Sequence, residues 1–529
     1  MAAVPTATRR PRFVPFRRAG QIVFLGLFLF LFSQTDYQGR DEIDLAVNLF
    51  FRVDPLAAMA SMLAARGSIP AMLPGLAVVG LTLFLGRFFC GWFCPMGTCL
   101  DLFRRFVIRQ RVRPRVQPRW LRDVLLVVIL VGALTGLPLI GWFDPFSILV
   151  RGLAVSVQPA ADLIHTTLYG AVAPDAPAWL YDRLLDPFEA TIRKTLLPFR
   201  PRAYAMAWLS LVCLTGVFSL EFEGRRFFCR FVCPLGALVG RLARPSPWRI
   251  HGTGGGACSG CRACRSICRM GAMNDNLAVQ PEHCILCLDC LDACPKGVVA
   301  WGRARPEGML SPPVVALSRR QLLGAVLGGA LLPAFLKSEA VANRGRPWLL
   351  RPPGARPEPE FLGLCLRCGE CMKVCIGNAL HPALLESGIE GVFSPRLIPR
   401  LGYCEYQCTL CGQVCPTGAI ERLPLGRKVK ERIGSAFFDK NRCLPYAKGV
   451  PCIVCEEHCP TPKKAILFRE LDVPAPGGGQ TRVKQPFVEG SLCIGCGICE
   501  TKCPLPGEAA IRVTSAGESR AERKGTATS

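Results

Sequence analysis

The chain has 529 residues, of which half are hydrophobic, and its mean hydropathy is +0.30. This composition excludes an ordinary soluble enzyme and indicates a membrane protein that carries soluble domains. The formal charge of +25 would suit a nucleic-acid partner, but the arginines are concentrated beside apolar segments, so we expect no nucleic acid.

Five apolar segments predict membrane helices, at 20–33, 70–89, 124–143, 203–220 and 321–336. The middle three approach the ~20 residues that cross a hydrocarbon core. Arginines crowd the chain before the first segment and between the second and third, which predicts that both regions are cytoplasmic. The sequence therefore predicts an α-helical membrane domain of about four helices over residues 1–245, with a fifth helix further on.

A twelve-residue motif occurs twice in this half, at 86–97 and 225–236. Each copy holds a Cys-x3-Cys-Pro element, with Cys90 and Cys94 in the first and Cys229 and Cys233 in the second. If the copies pack about a pseudo-symmetry axis, the four thiolates converge on one additional redox or metal centre at the cytoplasmic face. The alternative is two pairs of reduced structural thiols that cap helix ends.

On the opposite side, Asp54-Pro55, Asp144-Pro145 and Asp186-Pro187 each begin a short stretch. Asp at the N-cap followed by Pro starts helices well, so three capped interfacial helices explain the pattern. A quinol site also needs a carboxylate near an apolar cleft, and we hypothesise that Asp144 or Asp186 borders one. No histidine lies in a predicted span, so we expect no haem.

Residues 246–300 are predicted to form a cytoplasmic domain with two [4Fe-4S] clusters. In the bacterial ferredoxin pattern, three closely spaced cysteines hold one cluster and the fourth ligates its neighbour. The two groups are Cys258, Cys261, Cys264, Cys268 and Cys284, Cys287, Cys290, Cys294. On this rule the first cluster takes Cys294 and the second takes Cys268. Arg269 stands where proline is usual.

Residues 301–342 are predicted to be a linker and a helix with a twin-arginine-like signal. Arg319 and Arg320 precede a moderately apolar, Gly/Ala-rich run, which is typical of export signals that carry folded proteins with their cofactors. The alternative is a signal-anchor helix whose arginines obey the positive-inside rule. Both interpretations put the following domain in the bacterial periplasm, with the chain held in the inner membrane.

Residues 343–529 are predicted to hold four more [4Fe-4S] clusters, which makes six in the chain. Zinc is the rival, but three sulfurs on one tight loop fit three corners of a cubane better. The pattern does not reveal how these groups pair. They are Cys365, Cys368, Cys371, Cys375; Cys404, Cys408, Cys411, Cys415; Cys443, Cys452, Cys455, Cys459; and Cys493, Cys496, Cys499, Cys503.

Charged residues near these cysteines invite two interpretations. Arg262, Arg265, Lys373 and Lys502 would raise the reduction potentials of nearby clusters, or they simply form a solvated surface. The sequence favours the second interpretation.

With these motifs in this order, residues 1–295 resemble the NapH family of membrane ferredoxins, and residues 318–529 resemble the NapG and MauM ferredoxin-type proteins. The resemblance implies α+β ferredoxin-like domains on both sides of the membrane and an electron-transfer subunit of a quinol dehydrogenase. Electrons would pass from the quinone pool to a periplasmic redox partner such as nitrate reductase. The alternative is a factor that supplies electrons for the maturation of a periplasmic metalloenzyme or copper site.

Overall fold

The computed structural model describes residues 13–37, 39–43, 47–108, 118–174, 177–195, 197–198, 201–252, 261–273, 278–303, 317–342, 347–474 and 480–522. Cys258 and part of the 301–342 linker lie outside these ranges.

The contacts divide the chain into two units that do not follow the chain order. Unit 1 comprises 1–32, 47–149 and 211–333, and unit 2 comprises 33–46, 150–210 and 334–529. Unit 1 therefore joins most of the predicted membrane domain to the first ferredoxin domain. Unit 2 joins two segments of the membrane half to the last ferredoxin domain.

Unit 1 is mainly helical. Its helices are Val14–Gln34, Asn48–Arg52, Pro55–Ala65, Pro70–Met72, Gly75–Leu85, Phe88–Trp92, Pro95–Phe106, Arg119–Leu134, Ile140–Phe143, Phe228–Val232, Pro234–Leu242, Ala263–Ile267 and Asp289–Ala293. Three further helices, Pro145–Gly152, Ala207–Glu223 and Arg319–Ala342, cross from one unit to the other. One antiparallel ribbon pairs Trp248–Gly252 with Val299–Arg303.

An aromatic cluster forms the centre of the helical part of unit 1. Phe28 meets Phe50 edge to face at 5.3 Å between ring centroids, and Phe50 and Phe89 both contact Phe146. Edge-to-face packing of this kind contributes beyond the burial of area. Elsewhere on the helices of unit 1, large apolar side chains such as Ile22 and Phe84 are exposed.

The predicted arrangement of about four membrane helices with a fifth helix further on is not confirmed. Within the described residues, two helices are long and apolar enough to cross a membrane, Val14–Gln34 and Pro145–Val172, and the second is mostly buried and was not expected. The expected spans 70–89 and 124–143 are shorter helices. Pro74 lies at the start of the first and Gly86, with φ +77°, ends it, while Gly136 and Pro138 stop the second after Leu134.

Unit 2 combines helices from the membrane half with short elements around the cysteine groups. Its helices are Leu153–Val157, Gln158–Val172, Ala178–Leu180, Tyr181–Leu185, Asp186–Thr195, Glu358–Leu364, Glu370–Lys373, Ile389–Gly391, Leu410–Val414, Leu425–Lys428, Leu444–Ala447, Val454–Glu457, Ile498–Lys502 and Ser519–Glu522. Three antiparallel ribbons pair Leu380–Pro382 with Pro395–Leu397, Ser435–Phe438 with Ile511–Thr514, and Ile466–Pro474 with Gln480–Val488.

Candidate iron–sulfur centres

Where two residues separate successive cysteines, the loops share one backbone conformation. The residue after the second cysteine is left-handed in all four such groups, at Arg262, Leu288, Gly369 and Gly497. The residue before it is also left-handed in three, at Leu286, Arg367 and Gly495. This conformation costs arginine or leucine about 1 kcal/mol. Its recurrence indicates that the loop must curl tightly around a common centre.

The two groups with longer spacing do not need this curl. Thr409 follows Cys408 with φ −122°, and Ile453 follows Cys452 with φ −125°. The extra residues between the first two cysteines therefore relieve the strain that the tight loops carry.

Three cavities are lined by three cysteines of one group and the last cysteine of another. The sets are Cys284, Cys287, Cys290 with Cys268; Cys493, Cys496, Cys499 with Cys459; and Cys443, Cys452, Cys455 with Cys503. This grouping matches the exchanged ligation of two-cluster ferredoxins. No three His, Cys, Asp or Glu side chains in the described ranges form a group suited to one metal ion.

The remaining cysteines show the same exchange through their mutual proximity. Burial raises the pKa of the Cys371 thiol, and the neighbouring thiols of Cys368, Cys365 and Cys415 raise it further. The last cysteine of the 404–415 group therefore lies near the first three cysteines of the 365–375 group.

The reciprocal set of cysteines surrounds Cys411. Burial raises the pKa of the Cys411 thiol, and the neighbouring thiols of Cys408, Cys404 and Cys375 raise it further.

The first ferredoxin domain shows the same proximity. Burial raises the pKa of the Cys264 thiol, and the neighbouring thiols of Cys294 and Cys261 raise it further.

We number the six candidate sites by these sets. Site 1 has Cys258, Cys261, Cys264 and Cys294; site 2 has Cys284, Cys287, Cys290 and Cys268; site 3 has Cys365, Cys368, Cys371 and Cys415; site 4 has Cys404, Cys408, Cys411 and Cys375; site 5 has Cys493, Cys496, Cys499 and Cys459; site 6 has Cys443, Cys452, Cys455 and Cys503.

The exchanged cysteine is held in a similar way at four sites. A backbone N–H from four to seven residues further along donates to its sulfur, from Ala272 to Cys268, Ala379 to Cys375, Ile420 to Cys415 and Ala510 to Cys503, at 3.3–3.4 Å. Such bonds fix the sulfur and stabilise negative charge on it, so they favour the reduced form of a bound cluster.

Sites 3 to 6 form a continuous row inside unit 2. The segment Cys371–Cys375 supplies one ligand to site 3 and one to site 4. The backbone N–H of Cys404 in site 4 donates to the carbonyl of Cys496 in site 5, at 2.9 Å. The thiol of Cys499 in site 5 has its pKa raised by burial and by neighbours that include Cys455 of site 6.

The two Cys-x3-Cys-Pro motifs pack with exchanged arginines. Arg87 and Arg226 occupy equivalent positions in the two copies, and both are fully buried. Arg226 lies against Gly97 of the first copy and donates to its carbonyl at 3.0 Å, while Arg87 lies against Gly236 of the second. A side chain at either glycine would meet the opposite guanidinium, so this reciprocal packing supports the pseudo-symmetry expected from the repeat.

The four thiols of these motifs are gathered by this packing. The thiol of Cys233 is close enough to those of Cys229, Cys90 and Cys94 to interact with them electrostatically. Cys90 and Cys229 also pack against Met270, Ile285 and Cys287, and Cys287 belongs to site 2. The motifs therefore bring four sulfurs together next to a ferredoxin loop.

Arg269 stands where proline is usual, and its side chain belongs to a network of ion pairs. It forms ion pairs with Asp101 at 2.6 Å and with Asp289 at 2.5 Å. Asp101 also accepts from Arg226, and Asp289 pairs with the buried Arg17 at 3.1 Å. Although burial alone would raise it, these arginines hold the pKa of Asp101 well below its usual range. In the sequence, the missing proline is the one sign of this network.

Asp54 and Asp144 form a buried carboxyl pair. Each caps a helix through one oxygen, Asp54 to the N–H groups of Leu56 and Ala57 and Asp144 to that of Ser147. Asp54 Oδ2 and Asp144 Oδ1 are buried and receive no hydrogen bond within the described residues, and the two carboxyl groups lie close enough to interact electrostatically. Because two adjacent buried carboxylates repel each other, we expect the pair to hold one proton.

Asp186, the other quinol-site candidate, is placed differently. It is exposed and lies in a continuous helical stretch that begins at Ala178, so it caps no helix. The Asp-Pro pattern therefore marks a helix start at two of its three occurrences.

Lys373 differs from the other charged residues near the cysteines. Arg262, Arg265 and Lys502 are exposed, as a solvated surface requires. Lys373 is completely buried and forms an ion pair with Asp36.

Comparisons with known proteins identify relatives of both halves of the chain. The family described as a 4Fe-4S binding domain matches residues 69–115 and 204–251, which contain both Cys-x3-Cys-Pro motifs. No solved structure matches the chain.

Three relatives show how the chain is assembled. The methylamine utilization ferredoxin-type protein MauM of Methylorubrum extorquens is 38% identical over 208 residues, 37% of this chain and 88% of MauM. The ferredoxin-type protein NapG of Haemophilus influenzae is 32% identical over 37% of this chain and 71% of NapG. The ferredoxin-type protein NapH of Escherichia coli is 28% identical over 55% of this chain and 89% of NapH. The chain belongs to the MauM and NapG family of ferredoxin-type iron–sulfur electron-transfer proteins, here fused with a NapH-like part.

Proposed function

We propose that this chain is a quinol-dehydrogenase-type relay that carries electrons from membrane quinol through six [4Fe-4S] clusters to a redox partner outside the cytoplasm. Each cluster would be held by the four cysteines of one numbered site, and its chemistry would be the uptake and release of single electrons. The chain positions the sulfurs, excludes water from them and sets the charge around them.

The observation that carries this proposal is the row of sites 3 to 6. Exchange of the last cysteine ties site 3 to site 4 and site 5 to site 6, and the Cys404–Cys496 hydrogen bond joins the two pairs. A continuous row suits transfer over a distance. A storage or structural role would need no such order.

The division into units supports the proposed sidedness. Segments 33–46 and 150–210 belong to one unit with 334–529, and the predicted spans put 34–46 and 150–202 outside the cytoplasm. The first ferredoxin domain belongs to the other unit, with the arginine-flanked ends of the membrane helices. A reporter fused to the carboxy terminus should therefore be active only outside the cytoplasm, and a cytoplasmic reporter would overturn this topology.

The Asp54–Asp144 pair is the proposed proton acceptor for quinol oxidation. Oxidising quinol releases two protons and two electrons, so a carboxyl pair that shares one proton can accept another while the electrons leave through the clusters. Capping bonds hold both groups in place without preventing this uptake.

Asparagine variants test this assignment without loss of the helix caps, since Asn caps as well as Asp. We expect Asp144→Asn and Asp54→Asn to slow quinol-driven cluster reduction by about tenfold or more while iron content is kept. Asp186→Asn, at the exposed position, is the matched control. Wild-type rates in both variants of the pair would remove these residues from the quinol site.

The relay itself is tested in membranes that contain the full chain. Added quinol should reduce the clusters rapidly, as followed by low-temperature spin resonance, and the anaerobically purified protein should carry about 24 irons. Far less iron, or clusters that quinol never reduces, would overturn the proposal.

The maturation alternative needs thiols that a partner can reach. Cys94 and Cys233 are buried, and Cys90 and Cys229 pack against the loop of site 2. Thiol exchange or copper transfer to another protein requires more exposure than this, so the geometry favours the relay.

A further inference from the structure

A buried group of three charges lies at the junction of sites 3 and 4. Lys373 stands between Cys371 of site 3 and Cys375 of site 4, and its side chain has no solvent exposure. It pairs with Asp36, which also accepts from Arg202 at 2.6 Å and from Gln158 at 2.8 Å. We call Asp36, Arg202 and Lys373 the charge triad.

The charge triad joins parts of the chain that are far apart in sequence. Asp36 follows the first membrane helix, Arg202 precedes the helix Ala207–Glu223, and Lys373 belongs to the last ferredoxin domain. The Tyr204 hydroxyl adds a bond to the carbonyl of Met372, at 3.0 Å. The region beside sites 3 and 4 is thus where segments of the membrane half reach the row of cysteines.

The charge triad is not electrically neutral. Two cations and one carboxylate leave one net positive charge, and Arg202 is among the groups that act on Cys375. Reduction of a cluster adds one negative charge, and a buried cation nearby stabilises that charge more strongly than it would in water. The reduction potentials of sites 3 and 4 must therefore rise with the net charge of the triad.

We propose that the charge triad raises the potentials of sites 3 and 4 so that this pair is the first acceptor in unit 2, and that electrons leave through sites 5 and 6. The choice of first acceptor rests on the proposed relay from quinol, which is a weak reductant. The effect on potential does not depend on that relay. Lys502, directly before the last cysteine of its group, is exposed, so water screens its charge from the cluster.

Three variants of the full chain separate charge from packing. Lys373→Met removes one positive charge and leaves Asp36 paired with Arg202 and Gln158. Asp36→Asn removes the negative charge. The double variant carries the same net charge as the wild type although it has lost the ion pair. Lys502→Met is the matched control.

The experiment is a redox titration of membranes by low-temperature spin resonance, with signals assigned through Cys375→Ser and Cys503→Ser. We expect Lys373→Met to shift the signals of sites 3 and 4 to lower potential and Asp36→Asn to shift them higher. The double variant should return close to the wild-type value, and Lys502→Met should shift nothing in this pair. Lys373→Met should also slow reduction by quinol severalfold.

The outcomes are distinct. Shifts of the same sign in both single variants, or none in Lys373→Met with full iron content, would overturn the proposal. If Asp36→Asn does not assemble, the comparison of Lys373→Met with the double variant still decides it, because a packing effect would make the double variant worse. Wild-type clusters that quinol cannot reduce would defeat the relay but leave the measured potentials as a test of the charge triad.

Discussion

Sites 3 and 4 and sites 5 and 6 use the same cysteine chemistry in different surroundings. Around sites 3 and 4, buried charged side chains are numerous, namely Arg351, Arg367, Glu370, Lys373, Glu390 and Lys428. Among the described residues from 435 to 522, no charged side chain is buried. The first pair lies in a framework of fixed charge, whereas the second lies mainly among apolar residues.

This difference suggests that ligand spacing and surroundings have separate tasks. The spacing curls the loops and exchanges the last cysteine in both pairs, so it determines which metal group fits. The surroundings differ because one pair packs against segments of the membrane half, while the other does not. Arg151 shows the same contact, since it donates to the carbonyl of Arg367 at 2.8 Å and lies over the ring of Phe393.

Removal of an exchanged ligand should have the largest effect. If Cys459 ligates site 5, then Cys459→Ser should abolish the site 5 signal, keep that of site 6 and end electron delivery beyond sites 3 and 4. Cys415→Ser should abolish site 3 in the same manner. Spin resonance of quinol-reduced membranes measures this, with Cys213→Ser as a control outside all sites. Loss of site 6 in Cys459→Ser would show that each group ligates its own cluster.

Two lysines provide the next test, because each holds the carbonyls of a cysteine loop. Lys428 is buried and donates to the carbonyls of Glu405 and Tyr406 beside site 4. Lys464 is half-buried and donates to those of Glu456, Glu457 and Cys459. Removing a buried donor leaves its acceptors without water, at a cost of about 1–3 kcal/mol.

We therefore expect Lys428→Met to destabilise site 4 by about 2–3 kcal/mol and Lys464→Met to affect site 5 by about 1 kcal/mol or less. Cluster loss during denaturant titration of the purified chain measures both. Equal losses would mean that the contrast in buried charge has no energetic consequence.

Much of this arrangement was predictable from sequence because cysteine spacing is a strong local signal. The motifs indicated six groups, the exchange between sites 1 and 2, and a repeat whose two copies would pack together. The Arg87 and Arg226 exchange was also visible in principle, since both arginines occupy the same position of the repeat.

The rest depended on contacts between distant segments, which spacing does not encode. Lys373 looks like a surface lysine until Asp36 is known to meet it more than three hundred residues earlier in the chain. Asp54 and Asp144 were recognised as helix starts, but nothing in either segment indicated that they form a buried pair. The lengths of the helices in spans 70–89 and 124–143 were overestimated because apolar composition outweighed the Gly and Pro residues that interrupt them.

The smallest predicted difference between sites 3 and 4 and sites 5 and 6 is the effect of acid on stability, which acts through Glu358. Although burial alone would raise it, the guanidinium groups of Arg351 and Arg520 lower the pKa of Glu358 to about 2. The folded-state pKa lies below the unfolded value, so the resulting stability is complete above about pH 4.5 and is lost as the pH falls toward 2. Glu358 bridges the buried Arg351 to the helix Ser519–Glu522, which orders part of the polar tail beside the first pair.

At pH 7 we expect Glu358→Gln to cost about 1–2 kcal/mol, a discounted value because Glu358 is partly exposed. Denaturant titration should show the gap to wild type closing between about pH 4.5 and 3 as the native carboxylate begins to lose its advantage. Glu508→Gln is the matched control, because its bridge to Arg512 is 3.5 Å long and mostly exposed, so it should change stability by at most about 0.5 kcal/mol at any pH. A pH-independent gap in Glu358→Gln would mean that the side chain acts by packing rather than by charge.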